Sequence, residues 1–288
     1  MPELPEVETV CRTLDPIVTG RRFATFELLW PRTLSHPDPG EFLQRIAGQT
    51  ITSVRRRAKL IVATLATAGV ITVHLRMTGE LLFRNAGFDT GENEKTPYLR
   101  AAFLFEDGSE LLFYDIRKFG RIAYLTTTQY SELDDSLGIE PLNHSFTPEW
   151  LAHNLNRRKR QLKPLLLDQT FIAGLGNIYV DESLFLAGLH PLTRSDAVTS
   201  DQAEKLHAAI VDTLSGAVER RGTTLRDYRS GLGESGENRS RLVIYGSKPG
   251  APCSRCGTAL ERLVVGQRGS ILCPNCQPLP ILAGRPNR

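Results

Sequence analysis

No stretch of this 288-residue chain approaches the ~18 consecutive apolar residues of a membrane-spanning helix. A helical membrane protein is thereby excluded. The opening Met1-Pro2-Glu3-Leu4-Pro5-Glu6-Val7-Glu8 is acidic and lacks the basic n-region of a secretory signal, so a cytoplasmic, nucleoid-associated location is expected. Internal repeats are absent. Cysteine is scarce. Of five residues, four are Cys253, Cys256, Cys273 and Cys276, and Cys11 stands alone in the first helical pattern, where a small core side chain is its ordinary fate. The remaining composition, 41% hydrophobic and 23% charged, is that of a folded globular chain long enough for two domains.

Net charge is only +3 but unevenly spread. Residues 1–146 hold 16 Lys+Arg against 19 Asp+Glu, and residues 147–288 hold 19 against 13: −3 followed by +6. A basic second half suits a polyanionic partner, and equally a solvated surface.

Val7, Val10, Leu14 and Val18 recur at helical spacing with Cys11 on their side, Pro5 suits the first turn and Gly20 the stop. Strand-like runs follow at Ile51–Val54, Leu60–Leu65, Val70–Leu75, Leu81–Phe83, Ala101–Phe105, Leu111–Tyr114 and Ile122–Leu125, with Asp107-Gly108 as a hairpin turn. Residues 1–130 therefore read as a β-sandwich or flattened barrel with a flanking helix, and polar residues 131–146 as a loop-like linker. Helices are expected from an N-cap at Thr147, over Asn177–Ala187 up to Gly188, and over Ser200–Arg220 with Leu206, Ile210, Leu214, Ala217 and Val218 inward. Residues 229–240 read as a mobile loop.

The spacing Cys253-x-x-Cys256, sixteen residues, Cys273-x-x-Cys276 fits one structural zinc held by four thiolates on a short β-hairpin. Two disulfides would be the alternative in an oxidising compartment. Four thiolates leave no open position on the metal, which places any chemistry elsewhere.

The opening Met1 to Thr9 resembles that of the bacterial formamidopyrimidine-DNA glycosylases. Further matches follow in the family's order: Arg56-Arg57-Ala58-Lys59, His74-Leu75-Arg76-Met77-Thr78-Gly79, Asp115-Ile116-Arg117-Lys118-Phe119-Gly120, Gly174-Leu175-Gly176-Asn177-Ile178-Tyr179, and the cysteine quartet with Gln267-Arg268-Gly269. The endonuclease VIII type usually opens Pro-Glu-Gly-Pro, so Leu4 favours the formamidopyrimidine branch. The resemblance implies an α+β multidomain chain. Its parts would be a catalytic β-sandwich over 1–130, a linker over 131–146, a helix-two-turns-helix DNA-binding domain over 147–240, a zinc finger over 241–277 and a tail over 278–288. The partner would be double-stranded DNA carrying oxidised bases or abasic sites, bent in a cleft between the domains. With one active site per chain, a monomer is expected.

Removal of Met1 would free the secondary amine of Pro2. An α-amino group has a pKa of roughly 7.7–8.0 against about 10.4 for lysine; proline's is somewhat more basic, so desolvation would help. Its attack on the sugar C1′ would displace the base and leave an iminium. The resemblance makes Glu3 the general acid, Lys59 a phosphate contact and proton donor for β-elimination, and Arg268 the residue of δ-elimination. On the residues alone, Arg55 to Lys59 read as a solvated basic strand edge, with Lys59 on the face of Arg55 and Arg57. Glu6 and Glu8 read as first-turn helix carboxylates. By resemblance His74 and Asn177 grip the backbone beside the extruded nucleotide, although Asn177 also suits an N-cap. Met77, Arg117 and Phe119 match the family's wedge, and Arg157-Arg158-Lys159-Arg160 with Lys163 adds phosphate attraction. Tyr98 stands where the family commonly has a DNA-contacting histidine, and the 229–241 loop reads Glu237-Asn238-Arg239-Ser240 in place of the family's Phe-Gln pair. The activity implied is removal of 8-oxoguanine and formamidopyrimidines followed by β,δ-elimination, with zinc as cofactor. The alternatives are the sister activity on oxidised pyrimidines and a non-catalytic zinc-finger DNA-binding protein.

Overall fold

The computed structural model describes residues 1–87, 96–225 and 228–279; the expected tail beyond 279 lies outside the described residues. Two compact units emerge, residues 1–137 with 217–239, and residues 138–216 with the chain from 240 onward.

The first unit begins with helix α1 (Leu4–Val18), whose Val7, Val10, Cys11, Leu14 and Val18 are all buried. After it come strands β1 (Phe23–Leu28) and β2 (Leu34–His36), helix α2 (Pro39–Ile46), then strands β3 (Ile51–Arg57), β4 (Leu60–Leu65), β5 (Val70–His74), β6 (Gly79–Arg84), β7 (Leu99–Phe105), β8 (Glu110–Asp115) and β9 (Arg121–Leu125). They form two sheets, in the orders β1-β7-β8-β6 and β2-β9-β5-β4-β3. Pairing is antiparallel except for β2 with β9. Phe23, Phe103 and Phe113 of one sheet share a core with Ile61, Ile71 and Ile122 of the other and with Val7 and Leu14 of α1. This is the expected sandwich with its flanking helix. The Asp107-Gly108 turn joins β7 to β8, with Gly108 at φ +81°, a value that costs glycine nothing.

Three features depart from the expectation. Strands β1 and β2 and helix α2 are additional elements. Residues 131–146 are also not all loop, because helix α3 (Thr127–Ser136) occupies their first part. It is started by a capping box between Thr126 and Gln129 and buries none of its residues, so it has no apolar period to betray it. Finally, the 229–240 stretch is packed within the first unit. Phe83 N donates to Gly231 O at 2.9 Å, Ser230 and Asn238 are buried, and a side chain on Gly231 would meet Leu14 at 2.6 Å.

The second unit contains α4 (Pro148–Asn156), α5 (Leu162–Leu166), α6 (Asn177–Ala187) and the first part of α7 (Ser200–Glu219), then the hairpin β10 (Glu261–Val265) and β11 (Arg268–Leu272). Thr147 caps α4 by accepting from Trp150 N at 3.1 Å, and α6 stops at Gly188 in the left-handed region. The inward residues expected of α7 are buried. Among the described residues no helix is long and apolar enough to cross a membrane.

Candidate functional site

Three hydrogen bonds lay α1 antiparallel along β3. Gly20 N donates to Ile51 O at 2.8 Å, Val54 N to Asp15 Oδ1 at 2.6 Å, and Arg56 Nε to Glu8 Oε2 at 2.9 Å. The helix from 20 back to 8 covers about 18 Å and the strand from 51 to 56 about 17 Å, so the two stay in step. The same register points the start of α1 at the end of β3, which the Ala58–Lys59 turn follows. Pro2, Glu3 and Lys59 are all buried. Glu3 N donates to Glu6 Oε2 at 2.8 Å. The other Glu6 oxygen accepts from Thr223 N at 2.7 Å, while Tyr228 Oη donates to Glu6 O at 3.1 Å. Glu6 is therefore more than a first-turn carboxylate: it fastens the helix start to the 217–239 segment.

Of the basic run at this sheet edge only Arg55 is exposed. Arg56 pairs with Glu8. Arg57 pairs with Asp134 and also donates to Leu137 O at 3.3 Å, closing the end of α3. Lys59 does not continue the alternation of Arg55 and Arg57 either, because Ala58 takes φ +54° and turns the chain.

His74 closes β5 opposite Leu60 of β4 and Arg121 of β9, and so stands at the same sheet end as Lys59. Burial, with the charges of Arg76 and Lys59 beside it, lowers the His74 pKa to about 3. Its Nδ1 accepts from Arg76 N at 3.0 Å, leaving the proton of the neutral ring on Nε2. The site thus holds an uncharged N–H donor across the physiological range. The folded-state pKa lies below the ordinary ~6.5, so in free protein this residue costs nothing above that pH. Its cost grows as pH falls from about 6.5 towards 3, where the unfolded chain gains the proton first. In His74→Gln the acid-side fall of melting temperature should be shallower across this window; equal slopes in both proteins would contradict the assignment.

Beside His74, two loops are tied through Asp115. Its Oδ1 accepts from Thr78 Oγ1 at 2.5 Å and Arg117 N at 3.1 Å, and its Oδ2 from Gly120 N at 2.7 Å. Met77, on the first loop, is half-buried. On the second, the Arg117 guanidinium lies 4.8 Å from the Phe119 ring centre, and Phe119 is 47% exposed. The guanidinium covers the ring as a cation–π pair and leaves much of the aromatic open to solvent. Tyr98, 38% exposed, precedes β7, whose Leu99 pairs with Tyr114 just before Asp115.

Six non-glycine residues among those described have positive φ: Ala58, Ala68, Arg76, Lys118, Arg221 and Gln267. Each costs on the order of 1–3 kcal/mol. Ala68 is a hairpin tip. The others adjoin Lys59, Met77, Arg117 with Phe119, the Glu6 fastening, and Arg268. Strain gathers at the residues singled out from sequence.

In the second unit the four cysteine Sγ atoms lie within 4.8 Å of one another, with Cys253–Cys276 at 3.9 Å and Cys256–Cys273 at 3.5 Å. A tetrahedron of Zn–S bonds near 2.3 Å has edges of about 3.8 Å, so the residues fit one zinc, whereas a disulfide needs about 2.05 Å. The amides of Arg255 and Cys276 point at Cys253 and Cys273 Sγ, both at 3.4 Å, as donors that steady thiolates. Arg268 opens β11 at the hairpin tip and is exposed. Gly266 and Gln267 turn the tip at φ +54° and +62°, the signature of a tight type I′ hairpin.

Asn177 is the first residue of α6, and Gly176 is its N-cap, which removes the capping reading. Its Nδ2 donates to Gly269 O at 3.1 Å, next to Arg268. Lys163 reaches the same carbonyl at 3.0 Å and Asp181 Oδ1 at 2.7 Å, and bonds Ser270 Oγ. With Lys163 0% exposed, phosphate attraction is ruled out for it. It is a buried strut between α5, α6 and the finger, of the kind that persists only when paired. Arg158, at the end of α4, lies over Phe171 at 4.6 Å and donates to Asn154 O at 3.1 Å.

Three family models cover these regions: the formamidopyrimidine-DNA glycosylase N-terminal domain over residues 1–122, its H2TH domain over 137–229, and the zinc finger found in FPG and IleRS over 250–279. A curated relative from Chloroflexus aggregans, named formamidopyrimidine-DNA glycosylase, is 45% identical over 97% of this chain and 99% of its own length. The chain belongs to the formamidopyrimidine-DNA glycosylase family. Among solved structures, a Lactococcus lactis FPG variant in complex with Fapy-dG containing DNA matches with TM-score 0.88 and 32% identity over 96% of this chain and 100% of that one. The wild-type L. lactis protein with an oxidised pyrimidine containing DNA matches at TM-score 0.86 and 32% identity, over the same shares. Within this formamidopyrimidine-DNA glycosylase chain, Asp115 and the Lys163–Asp181–Ser270 strut are supports that the motifs alone do not reveal. Their partners lie 37, 18 and 107 residues away.

Proposed function

We propose that the protein is a bifunctional DNA glycosylase and abasic-site lyase of base excision repair, acting on oxidised purines in duplex DNA in the cytoplasm. The observation that supports this reading is the in-step run of α1 along β3, which points the helix start, with Pro2 and Glu3 before it, at the strand end that Lys59 follows. While Met1 is attached the Pro2 nitrogen is an amide. Once Met1 is removed, the secondary amine forms a bond to the sugar C1′ as the glycosidic bond breaks, the base leaving with the electron pair. Glu3 supplies the proton that opens the sugar. The nitrogen lone pair then forms the iminium, loss of a C2′ proton expels the 3′ phosphate, and a second elimination expels the 5′ phosphate. Lys59 serves the first elimination and Arg268 the second. His74 Nε2–H and Asn177 grip the backbone, with Arg158 and Tyr98 as outer phosphate contacts. Met77, Arg117 and Phe119 fill the space left by the extruded nucleotide, whose unstacking must be offset. Zinc, bound by Cys253, Cys256, Cys273 and Cys276, supplies a cross-link for the hairpin.

Borohydride trapping on a duplex with one 8-oxoguanine opposite cytosine tests this directly, with Pro2→Gly as control and intact mass to verify loss of Met1. A cross-linked species in the wild type that falls at least about tenfold in the control is expected. No cross-link on this duplex or on a bare abasic site, in protein lacking Met1, would sink the covalent mechanism. A second reading, that oxidised pyrimidines are also substrates, draws support from the L. lactis complex with such DNA and from the altered 237–240 sequence; a lesion panel separates the two.

A further inference from the structure

We propose that Trp30 is a positioning residue for base extrusion: by holding Lys118 it fixes the turn that presents Arg117 and Phe119. The proposal rests on the glycosylase reading. Lys118 is the middle residue of that turn and takes φ +59°, a strained value for a residue with a side chain. Asp115 holds the amides of Arg117 and Gly120, so the two ends of the turn are secured through backbone. The middle has two further holds: Arg121 Nη1 donates to Phe119 O at 3.0 Å and Gly120 O at 2.8 Å, and the Lys118 ammonium lies 3.8 Å from the centre of the Trp30 ring, the contact that fixes the Lys118 side chain. This contact draws Lys118 inward while the stacked Arg117 and Phe119 remain exposed.

Trp30 is itself well anchored. Leu29 N and Trp30 N both donate to Arg100 O, at 2.9 and 3.0 Å, and Arg100 Nε donates to Asp115 O at 2.8 Å. The indole platform and the turn it steadies therefore share one support. Trp30 Nε1 is buried without a hydrogen-bond partner. No hydrogen bond of its own explains the indole's placement, and the ring face is what it offers, to the cation that face binds best. Without the ring, the strained turn loses the hold on its Lys118 side chain, and the extrusion-competent loop becomes a smaller fraction of the population.

The test uses the full chain and a lesion duplex with 2-aminopurine beside the 8-oxoguanine, whose fluorescence rises as the pair opens. Trp30→Ala should slow both that rise and excision by about 5- to 30-fold. Lys118→Met should do the same, the double variant should be no worse than either single one, and Trp30→Phe should recover most of the rate. Nicking of an abasic site in single-stranded DNA, where no partner base is displaced, should stay at the wild-type rate. Full duplex activity in Trp30→Ala would overturn the proposal. Losses that multiply in the double variant would also overturn it, since Lys118 would then act alone on phosphate. A parallel fall in single-strand nicking would reduce Trp30 to a fold residue. A wild type with neither excision nor trapping overturns the glycosylase reading itself, which is a distinct result.

Discussion

Glu3→Gln should lose base excision from an 8-oxoguanine duplex by about 10²- to 10⁴-fold, the ordinary worth of a positioned proton donor, yet still cross-link to a preformed abasic site under borohydride. The two steps ask different things of the residue. Excision needs a proton delivered as the sugar opens, and an amide cannot deliver one. Iminium formation at an abasic aldehyde needs chiefly the free amine of Pro2. Glutamine preserves size and keeps a side-chain oxygen to accept from the Glu6 amide in the capping box, and the bond from Glu3 N to Glu6 Oε2 at 2.8 Å is untouched, so the helix start should survive. Glu3 is 2% exposed, and a side chain so enclosed acts only on what is brought to it. Comparable loss of trapping and excision would instead show that the substitution displaced Pro2. Full excision by the variant would leave Glu3 as no more than the residue that begins α1.

Much of this arrangement is legible in the sequence because it is local. The 3–4 spacing of Val7, Val10, Leu14 and Val18 announces α1, the paired Cys-x-x-Cys announces the metal, and Asp107-Gly108 announces a hairpin. Two of the misreadings share one cause, which is that the deciding partner lies far along the chain. Lys163 resembles its basic neighbours until Asp181 and Ser270 close on it. Arg56 and Arg57 look solvated until Glu8 and Asp134 are brought to them. For Lys59, strand alternation fails at one residue, Ala58, whose positive φ no propensity argument would assign to alanine. Helix α3 is hidden for another reason: it buries none of its residues, and a helix held by its cap and by Arg57 at its end has no apolar pattern to read.

Stripping the zinc should cost the protein duplex binding and the second elimination while leaving the sandwich folded. The finger's own apolar cluster is small. Cys253, Leu260 and Cys273 pack with Phe185 and Ile244, and two of those core residues are metal ligands. A hairpin of two five-residue strands cannot stand in water on such a core; metal binding, worth about 10–16 kcal/mol in small finger peptides, supplies its folding. Chelation should therefore release one zinc per chain and free the tip that carries Arg268, while the melting of the first unit, which has its own core, persists. Strand products should shift from the doubly eliminated gap towards the singly eliminated aldehyde. Arg268→Ala in metal-replete protein should give the same shift at full zinc content, because it removes the side chain and keeps the scaffold. If chelated protein still yields the doubly eliminated product, the hairpin does not position the second elimination. If Arg268→Ala leaves products unchanged but zinc removal does not, the finger contributes through DNA grip, and the second elimination belongs to another cation of the chain.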